Sequence, residues 1–236
     1  MAATGVSEKT VRIIAAFEKS KELSYTSHLD VQRTLQRTFR RAALPLAYSN
    51  GFNPHPKLSF ATALATGYTS AAEWFEVELA ESVGLSDFVS RVNAALPTGM
   101  RIVEAFEADE SINTLSKLTR AAKYELTVRF DAPVSDDAVS DAVRSIMGPD
   151  PVIVEKKTKS GVKPADIRSD ILEASVKECS DRTAIIDVVG TLTAAGGLRA
   201  ETFVRALFDR LHLNGYFTAH RVSLYFEGSD RLPRLV

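Results

Sequence analysis

Alternating apolar residues near the start of the chain predict a strand, and a helical spacing follows it. Val11, Ile13, Ala15 and Phe17 fall on one side, because successive side chains of a strand point to opposite faces. From Ser27 to Leu44 the apolar residues recur every three or four positions, which is the spacing of one helix face. These residues are Val31, Leu35, Phe39 and Ala42.

The same reasoning gives four further elements in the first half of the chain. The apolar positions of residues 44–48 and 74–79 alternate and predict strands, and those of 85–96 have helical spacing. A last alternating stretch, 102–106, predicts a strand that completes the order β-α-β-β-α-β.

This order returns after a polar break, so the pattern predicts two similar halves. Residues 108–120 have no regular spacing and are interpreted as a linker. The later elements are a strand at 124–130, a helix at 139–146, two strands between 152 and 192, a helix at 203–211 and a strand at 222–226.

The repeated order predicts an α+β fold of two tandem ferredoxin-like (βαββαβ) lobes with antiparallel sheets. The lobes would span residues 1–107 and 121–236, joined by the linker 108–120. Such a lobe usually leaves one sheet face open, and RNA-recognition domains use that face to stack bases.

Composition narrows the class of protein. The chain has 236 residues and a formal net charge of −1, with 45% hydrophobic and 25% charged residues, which is ordinary for a globular protein. No stretch approaches the roughly 20 apolar residues of a membrane span, and the N-terminus lacks the basic and apolar parts of a signal peptide.

The single cysteine, Cys179, excludes an internal disulfide and any cluster or zinc site held by cysteines of this chain alone. We therefore expect a cytoplasmic protein that binds no metal or cofactor of its own.

Charge is unevenly distributed, because residues 11–60 contain eight basic and three acidic residues, a net charge of +5. Four arginines of the predicted helix recur at one helical face: Arg33, Arg37, Arg40 and Arg41. A solvated helix face is the ordinary interpretation of such a run. An all-arginine face also suits bidentate binding of phosphate, so both interpretations stay open.

The helix begins with S-x-x-D, a variant of the capping box. Ser27 and Asp30 would then satisfy backbone N–H groups at the helix start. His28 falls at the first helical position, where the helix dipole favours a neutral imidazole that can act as a base. A plain surface histidine is equally compatible with this position.

The sequence SNGFNPHPKLSF predicts a stiff loop after this helix. Asn53 and His55 each precede a proline, which drives both towards extended backbone. A stiff loop presents side chains at low entropic cost, so Asn53, His55 and Lys57 are candidate RNA-binding residues.

A second basic segment lies in the other half of the chain. Lys156, Lys157, Lys159, Lys163 and Arg168 surround Gly161 and predict a basic hairpin or a solvated loop. Lys163 and Arg168 are retained as candidate anion-binding residues.

Over about residues 11–80 the chain closely resembles the signature of the radical-SAM-linked protein family. This is a bacterial domain of unknown function that is encoded beside a radical SAM protein or fused to it. The resemblance rests on the motifs Ser27-His28-Leu29-Asp30, Arg33, Arg37, Arg40-Arg41-Ala42, Gly51-Phe52-Asn53-Pro54-His55-Pro56 and Ser70-Ala71-Ala72-Glu73. The resemblance implies a radical SAM partner that carries the iron–sulfur cluster, and a function that involves RNA.

The leading hypothesis is an RNA-binding accessory module that acts with a radical SAM enzyme on tRNA or rRNA and has no catalytic activity of its own. One alternative is a metal-independent endoribonuclease similar to CRISPR repeat-processing enzymes, with His28, Asp30 and His55 supplying acid and base groups. The other alternative is a module that docks onto an acidic protein surface without binding RNA.

Overall fold

The chain forms two compact units, and each unit takes in residues from two stretches of sequence. The computed structural model describes residues 10–109, 111–158 and 161–235. The first unit consists of the chain up to Thr66 together with Ala72–Leu118. The second consists of Gly67–Ala71 together with the chain from Thr119 onwards.

The first unit has the order of elements that the sequence predicts. Its strands lie in the order β2-β3-β1-β4, and the pairs β1–β4 and β2–β3 are antiparallel. The elements are β1 (Val11–Lys19), a 3-10 turn (Lys21–Leu23), α1 (His28–Arg41), β2 (Leu58–Phe60), β3 (Thr69–Leu79), α2 (Leu85–Ala95), β4 (Met100–Glu107) and α3 (Leu115–Leu118).

The core of this unit lies between one sheet face and the helices α1 and α2. Phe17 of β1 and Phe75 of β3 belong to this cluster with Leu35 and Phe39 of α1 and Phe88 of α2. Each fully buried apolar side chain contributes roughly 1.5–3 kcal/mol of transfer free energy. Burial of its apolar stripe therefore fixes α1 on the sheet with its arginine face outward.

The opposite sheet face of the first unit is partly covered by residues 112–118, which differs from the open face expected from the sequence. Ile14 and Trp74 point to this side and are buried. Arg12, on the same side of β1, donates from Nη2 to the backbone oxygen of Ile112. The predicted linker thus contains α3, whose Leu115 is fully buried, and it is held against β1.

The second strand begins later than the sequence predicts. Residues 44–48 form only isolated pairs, Leu46 with Leu79 and Tyr48 with Pro56. The alternation of apolar residues there reflects burial of Leu44 and Leu46 without a continuous ladder. The strand that pairs with β3 is β2.

The second unit contains a longer set of strands in the order β10-β9-β5-β11, with β8 also paired to β9. All of these pairs are antiparallel, whereas Thr69 and Ser70 pair in parallel with His220 and Arg221. The elements are β5 (Thr119–Phe130), α4 (Asp136–Ile146), β6 (Ile153–Thr158), β7 (Gly161–Asp166), β8 (Ile171–Ser180), β9 (Thr183–Thr193), β10 (Gly196–Gly197), α5 (Ala200–Leu211) and β11 (Gly215–Phe226).

The lysine-rich segment forms a separate hairpin of β6 and β7, in which Lys156 lies opposite Lys163. Lys159 falls outside the described residues. The fold is thus mixed α+β with mostly antiparallel strands. No helix in the described ranges has the length and apolar character needed to cross a membrane.

Candidate nucleic-acid interface

Helix α1 begins with the capping box that its sequence predicts. The Ser27 hydroxyl accepts from the Asp30 backbone N–H at 3.2 Å, and the Asp30 carboxylate accepts from the Ser27 backbone N–H at 3.2 Å. Hydrogen bonds from Ser27, and then the charges of Arg33 and Arg37, lower the pKa of Asp30. The carboxylate is therefore an ionised cap, which gives it no proton to donate near neutral pH.

The arginine face of α1, defined as Arg33, Arg37, Arg40 and Arg41, is exposed to solvent. Arg33 is 3.7 Å from Asp30, and the Arg37 guanidinium lies 3.5 Å from the Thr34 hydroxyl. Within the described residues, the Arg40 guanidinium makes no hydrogen bond or ion pair. Acidic side chains thus compensate this face weakly.

Arg41 differs from the other three arginines. Its Nη2 donates to the Ala95 carbonyl oxygen at 2.6 Å and lies 3.4 Å from the Thr38 hydroxyl. This side chain therefore links the ends of α1 and α2, and the part of the face that is free for a ligand consists of Arg33, Arg37 and Arg40.

The loop after α1 is closed by hydrogen bonds around His55. The Ser49 backbone N–H donates to the His55 carbonyl oxygen at 2.9 Å, and the His55 backbone N–H donates to the Ser49 hydroxyl at 3.2 Å. The imidazole Nδ1 lies 3.0 Å from that hydroxyl. These bonds and the two flanking prolines hold the His55 ring in one position.

The tip of this loop presents unusual exposed groups. The Phe52 ring is fully exposed and Asn53 is also exposed. An exposed aromatic ring beside a hydrogen-bonding amide is the combination that stacks and reads an unpaired base. Lys57, at the end of the loop, is instead paired with Glu78 at 2.6 Å.

A cleft of about 230 Å³ lies beside His55 in the first unit. Its polar lining consists of Arg12, His55, Lys57, Ser59, Glu76, Glu78 and Thr114. Glu76 is a residue that sequence reasoning misses, because its alternating position in β3 predicts an outward, solvated side chain. Its side chain is in fact only 8% exposed.

His28 lines a different, much smaller cavity. Its ring meets that of Phe60 edge to face at 4.8 Å, and the same cavity is lined by Lys19 and Glu73. The buried Lys19 ammonium donates to the carbonyl oxygens of Ser24 and Thr26, both at 3.1 Å. Burial lowers the pKa of Lys19, and the charge of Glu73 partly offsets that effect.

The three residues predicted as acid–base candidates do not line one cleft. His55 lines the larger cleft, His28 lines the smaller cavity, and Asp30 is engaged in the helix cap. Within the described residues, no three His, Cys, Asp or Glu side chains are grouped so that they hold a metal ion.

The two candidates in the second unit have different surroundings. Lys163 is exposed on β7. Arg168 donates to the carbonyl oxygens of Gly148, Ile171 and Met147 at 2.7–2.9 Å. These bonds occupy the guanidinium and make Arg168 a structural residue that satisfies the carbonyl groups after α4.

Comparison with protein families assigns most of the chain to one family. Residues 12–199 match the family described as "Uncharacterized protein conserved in bacteria (DUF2344)". The match includes the arginine face, the loop around His55 and the cleft beside it. No protein of curated function matches the chain in sequence.

Two solved structures with a similar fold are protein complexes, and one of them is an archaeal box H/ACA sRNP complex. A chain of a Cbf5-Nop10-Gar1 complex has a TM-score of 0.55 and 11% sequence identity, over 94% of this chain and 52% of that one. A chain of the archaeal box H/ACA sRNP Nop10-Cbf5 complex has a TM-score of 0.51 and 8% identity, over 89% and 46%. This chain thus spans about half the length of those structures, and at such identities the likeness concerns the fold alone.

Proposed function

Because the chain belongs to the uncharacterized bacterial family DUF2344, we propose its function from its own surface: it is an RNA-binding accessory module for a radical SAM enzyme. The module binds tRNA or rRNA in the cytoplasm and presents it to that enzyme, without a catalytic group or cofactor of its own.

The observation that carries this proposal is the weakly compensated arginine face of α1. Three guanidinium groups project from one helix side, and Arg40 lacks an acidic partner among the described residues. Arginine binds phosphate through paired N–H donors, so a row of exposed arginines suits a nucleic-acid backbone. Phe52 and Asn53 add a stacking ring and an amide for unpaired bases.

The fold gives supporting evidence for this proposal. We propose that both units are ferredoxin-like, since the strand order β2-β3-β1-β4 of the first recurs as β8-β9-β5-β11 in the second. Ferredoxin-like folds include RNA-recognition domains, although the fold alone assigns no function. One of the similar structures is the archaeal box H/ACA sRNP Nop10-Cbf5 complex, which is compatible with a function that involves RNA.

The radical SAM partner rests on the resemblance of residues 11–80 to the radical-SAM-linked family. With one cysteine in the chain, any radical SAM cluster belongs to the partner. The endoribonuclease alternative lacks comparable support, because His28 and His55 line different cavities. A pull-down from the native cell that recovers a radical SAM protein tests the partner independently of RNA.

RNA binding is tested with the double variant Arg37→Gln/Arg40→Gln. Glutamine keeps helix propensity, and both positions are exposed, so the variant is expected to fold. Fluorescence anisotropy with labelled single-stranded RNA, measured across a range of salt concentrations, gives affinity and salt dependence. Losing two phosphate contacts reduces the slope of log affinity against log salt by about 1.4, which is twice the ~0.7 expected per contact for single strands.

The matched control is Arg129→Gln/Arg144→Gln, which removes two exposed arginines from the second unit. This control is expected to keep the wild-type slope. Equal slopes for the wild type and the α1 variant would assign the arginine face to ordinary solvated surface. Absence of RNA binding by the wild-type protein would reject the proposed function.

A further inference from the structure

We propose that the cleft beside His55 binds one unstacked guanine base of the RNA, with the Glu76 carboxylate accepting hydrogen bonds from the N–H edge of the base. This inference rests on the proposed RNA-binding function and specifies what that function recognises. It concerns a site whose residues lie on β1, β2, β3 and the two loops that border them.

The Glu76 carboxylate, which belongs to a residue that lines the cleft, has an acceptor oxygen without a hydrogen bond. Its Oε1 accepts from the Ser59 hydroxyl at 2.8 Å. Its Oε2 is shielded from solvent and accepts no hydrogen bond from the described residues. The nearest cation, Nη1 of Arg12, is 3.7 Å away, which is too far for a hydrogen bond.

Arg12 is held in this position, because its Nη2 donates to the Ile112 carbonyl oxygen. It neutralises the charge of Glu76 without saturating the carboxylate. A buried carboxylate oxygen without a donor is costly, so the site favours a ligand that brings an N–H group to Oε2.

The charge of the cleft favours a neutral ligand. Arg12 forms an ion pair with Glu76, and Lys57 forms another with Glu78 at 2.6 Å. These two pairs cancel, so the cleft attracts neither a free phosphate nor a metal ion strongly. A nucleobase is neutral and planar and carries its hydrogen-bonding groups along one edge.

The size of the cleft points to the same class of ligand. A volume of about 230 Å³ is smaller than the ~300–1,000 Å³ of clefts for drug-sized molecules, and it suits a group the size of one base. The His55 ring lines the cleft, with Nδ1 beside Ser49 and with Nε2 making no hydrogen bond to the described residues. The ring is therefore placed to stack on a base or to bond to it through Nε2.

The carboxylate selects among the bases. An ionised carboxylate only accepts hydrogen bonds, so it repels carbonyl oxygens and unprotonated ring nitrogens. Guanine presents two adjacent donors, N1–H and N2–H, on its Watson–Crick edge. The corresponding edges of adenine, cytosine and uracil place an acceptor beside their donor. Guanine is accordingly the base that this cleft prefers.

The experiment compares a labelled oligouridine of roughly twelve nucleotides with versions that carry one central guanosine, adenosine or cytidine. Wild-type protein is expected to bind the guanosine version about tenfold more tightly than the others, as for a good bidentate contact to a base. Glu76→Gln is expected to abolish this preference, because the new amide NH₂ repels the donors of guanine. Each variant is compared through its ratio of affinities for the guanosine version and plain oligouridine, so that a change in overall RNA affinity cancels.

Two variants keep the result interpretable. Glu104→Gln makes the same charge change at an exposed position of β4 and is expected to retain the preference for guanosine. Ser59→Ala removes the hydroxyl that orients Glu76, and it is expected to weaken the preference even where Glu76→Gln fails to fold.

The outcomes separate this inference from the proposed function. RNA binding without a preference for guanosine, or with a preference that survives Glu76→Gln and Ser59→Ala, overturns the guanine site and leaves RNA binding intact. If wild-type protein binds no RNA, free guanosine is titrated while NMR signals of His55 are followed. A shift that Glu76→Gln abolishes then supports the site, and an unchanged spectrum overturns it.

Discussion

Nη2 of Arg41, at the end of α1, donates a 2.6 Å hydrogen bond to the carbonyl oxygen of Ala95, the last residue of α2. The carbonyl groups in the last turn of a helix have no partner within the helix, so this contact satisfies one of them. The guanidinium of Arg40, the residue before Arg41, makes no hydrogen bond to a helix carbonyl group among the described residues. Two adjacent arginines of one helix thus have different roles.

We predict that Arg41→Gln lowers the free energy of unfolding by about 1 kcal/mol, the typical net worth of one hydrogen bond. Arg40→Gln, the matched control, is expected to leave stability within about 0.5 kcal/mol of wild type. Urea denaturation followed by circular dichroism measures both. Equal stability of the two variants would show that the contact to Ala95 contributes nothing in solution.

Leu115→Ala is predicted to lower the free energy of unfolding by about 2–5 kcal/mol, the range for a fully buried leucine. An ordinary linker residue would tolerate this change, so the variant distinguishes α3 from the linker predicted by the sequence. Ser111→Ala, four residues earlier and exposed, is the control and is expected to have little effect. Wild-type stability of Leu115→Ala would mean that the segment is not packed as described.

The contribution of Lys19 to stability is expected to change with pH in the alkaline range. Burial lowers the pKa of Lys19 from the model-compound value of 10.5, so the unfolded chain holds this proton more tightly than the folded protein. Stability of the wild type relative to Lys19→Met should therefore rise as the pH increases through the folded pKa towards 10.5, and level off above it. Urea titrations of both proteins at several pH values measure this difference, and a constant difference would contradict it.

The contribution of Asp30 to stability is expected to change with pH in the acidic range. Its pKa is lowered by the Ser27 hydrogen bonds from 3.8, so its stabilising effect is fully present above that pH and is lost as the pH falls through the folded pKa. The stability difference between wild type and Asp30→Asn should shrink correspondingly in acid. Repeating the comparison in a Ser27→Ala background should flatten that dependence, and a dependence unchanged by this background would exclude the capping bond as its cause.

The elements that the sequence predicts well are those in which local signals agree. In α1, the capping box at Ser27 and the apolar stripe through Leu35 indicate the same helix. The short helix α3 is missed because its four residues fall below the length that periodicity detects. The false strand at 44–48 arises because alternation reports burial, while ladder formation depends on a distant partner.

Some residues of the candidate site can likewise be predicted from local sequence patterns, and others cannot. Helical spacing correctly places Arg33, Arg37 and Arg40 on one exposed face. It cannot separate Arg40 from Arg41, because the difference lies in Ala95, 54 residues further along the chain. Glu76 likewise has the position of an outward strand residue, and its burial depends on contacts with Arg12 and Ser59 that local sequence does not encode.

The pairing of Thr69 with His220 has a consequence for the order in which the protein forms during synthesis. The Thr69 hydroxyl meets the His220 imidazole at 2.8 Å, across 151 residues of sequence, and both belong to the second unit. Residues 67–71 are synthesised before β11, the strand with which they pair in parallel. Translation therefore delays completion of the second unit until β11 has been made, and a chain truncated before β11 has an unfinished second unit.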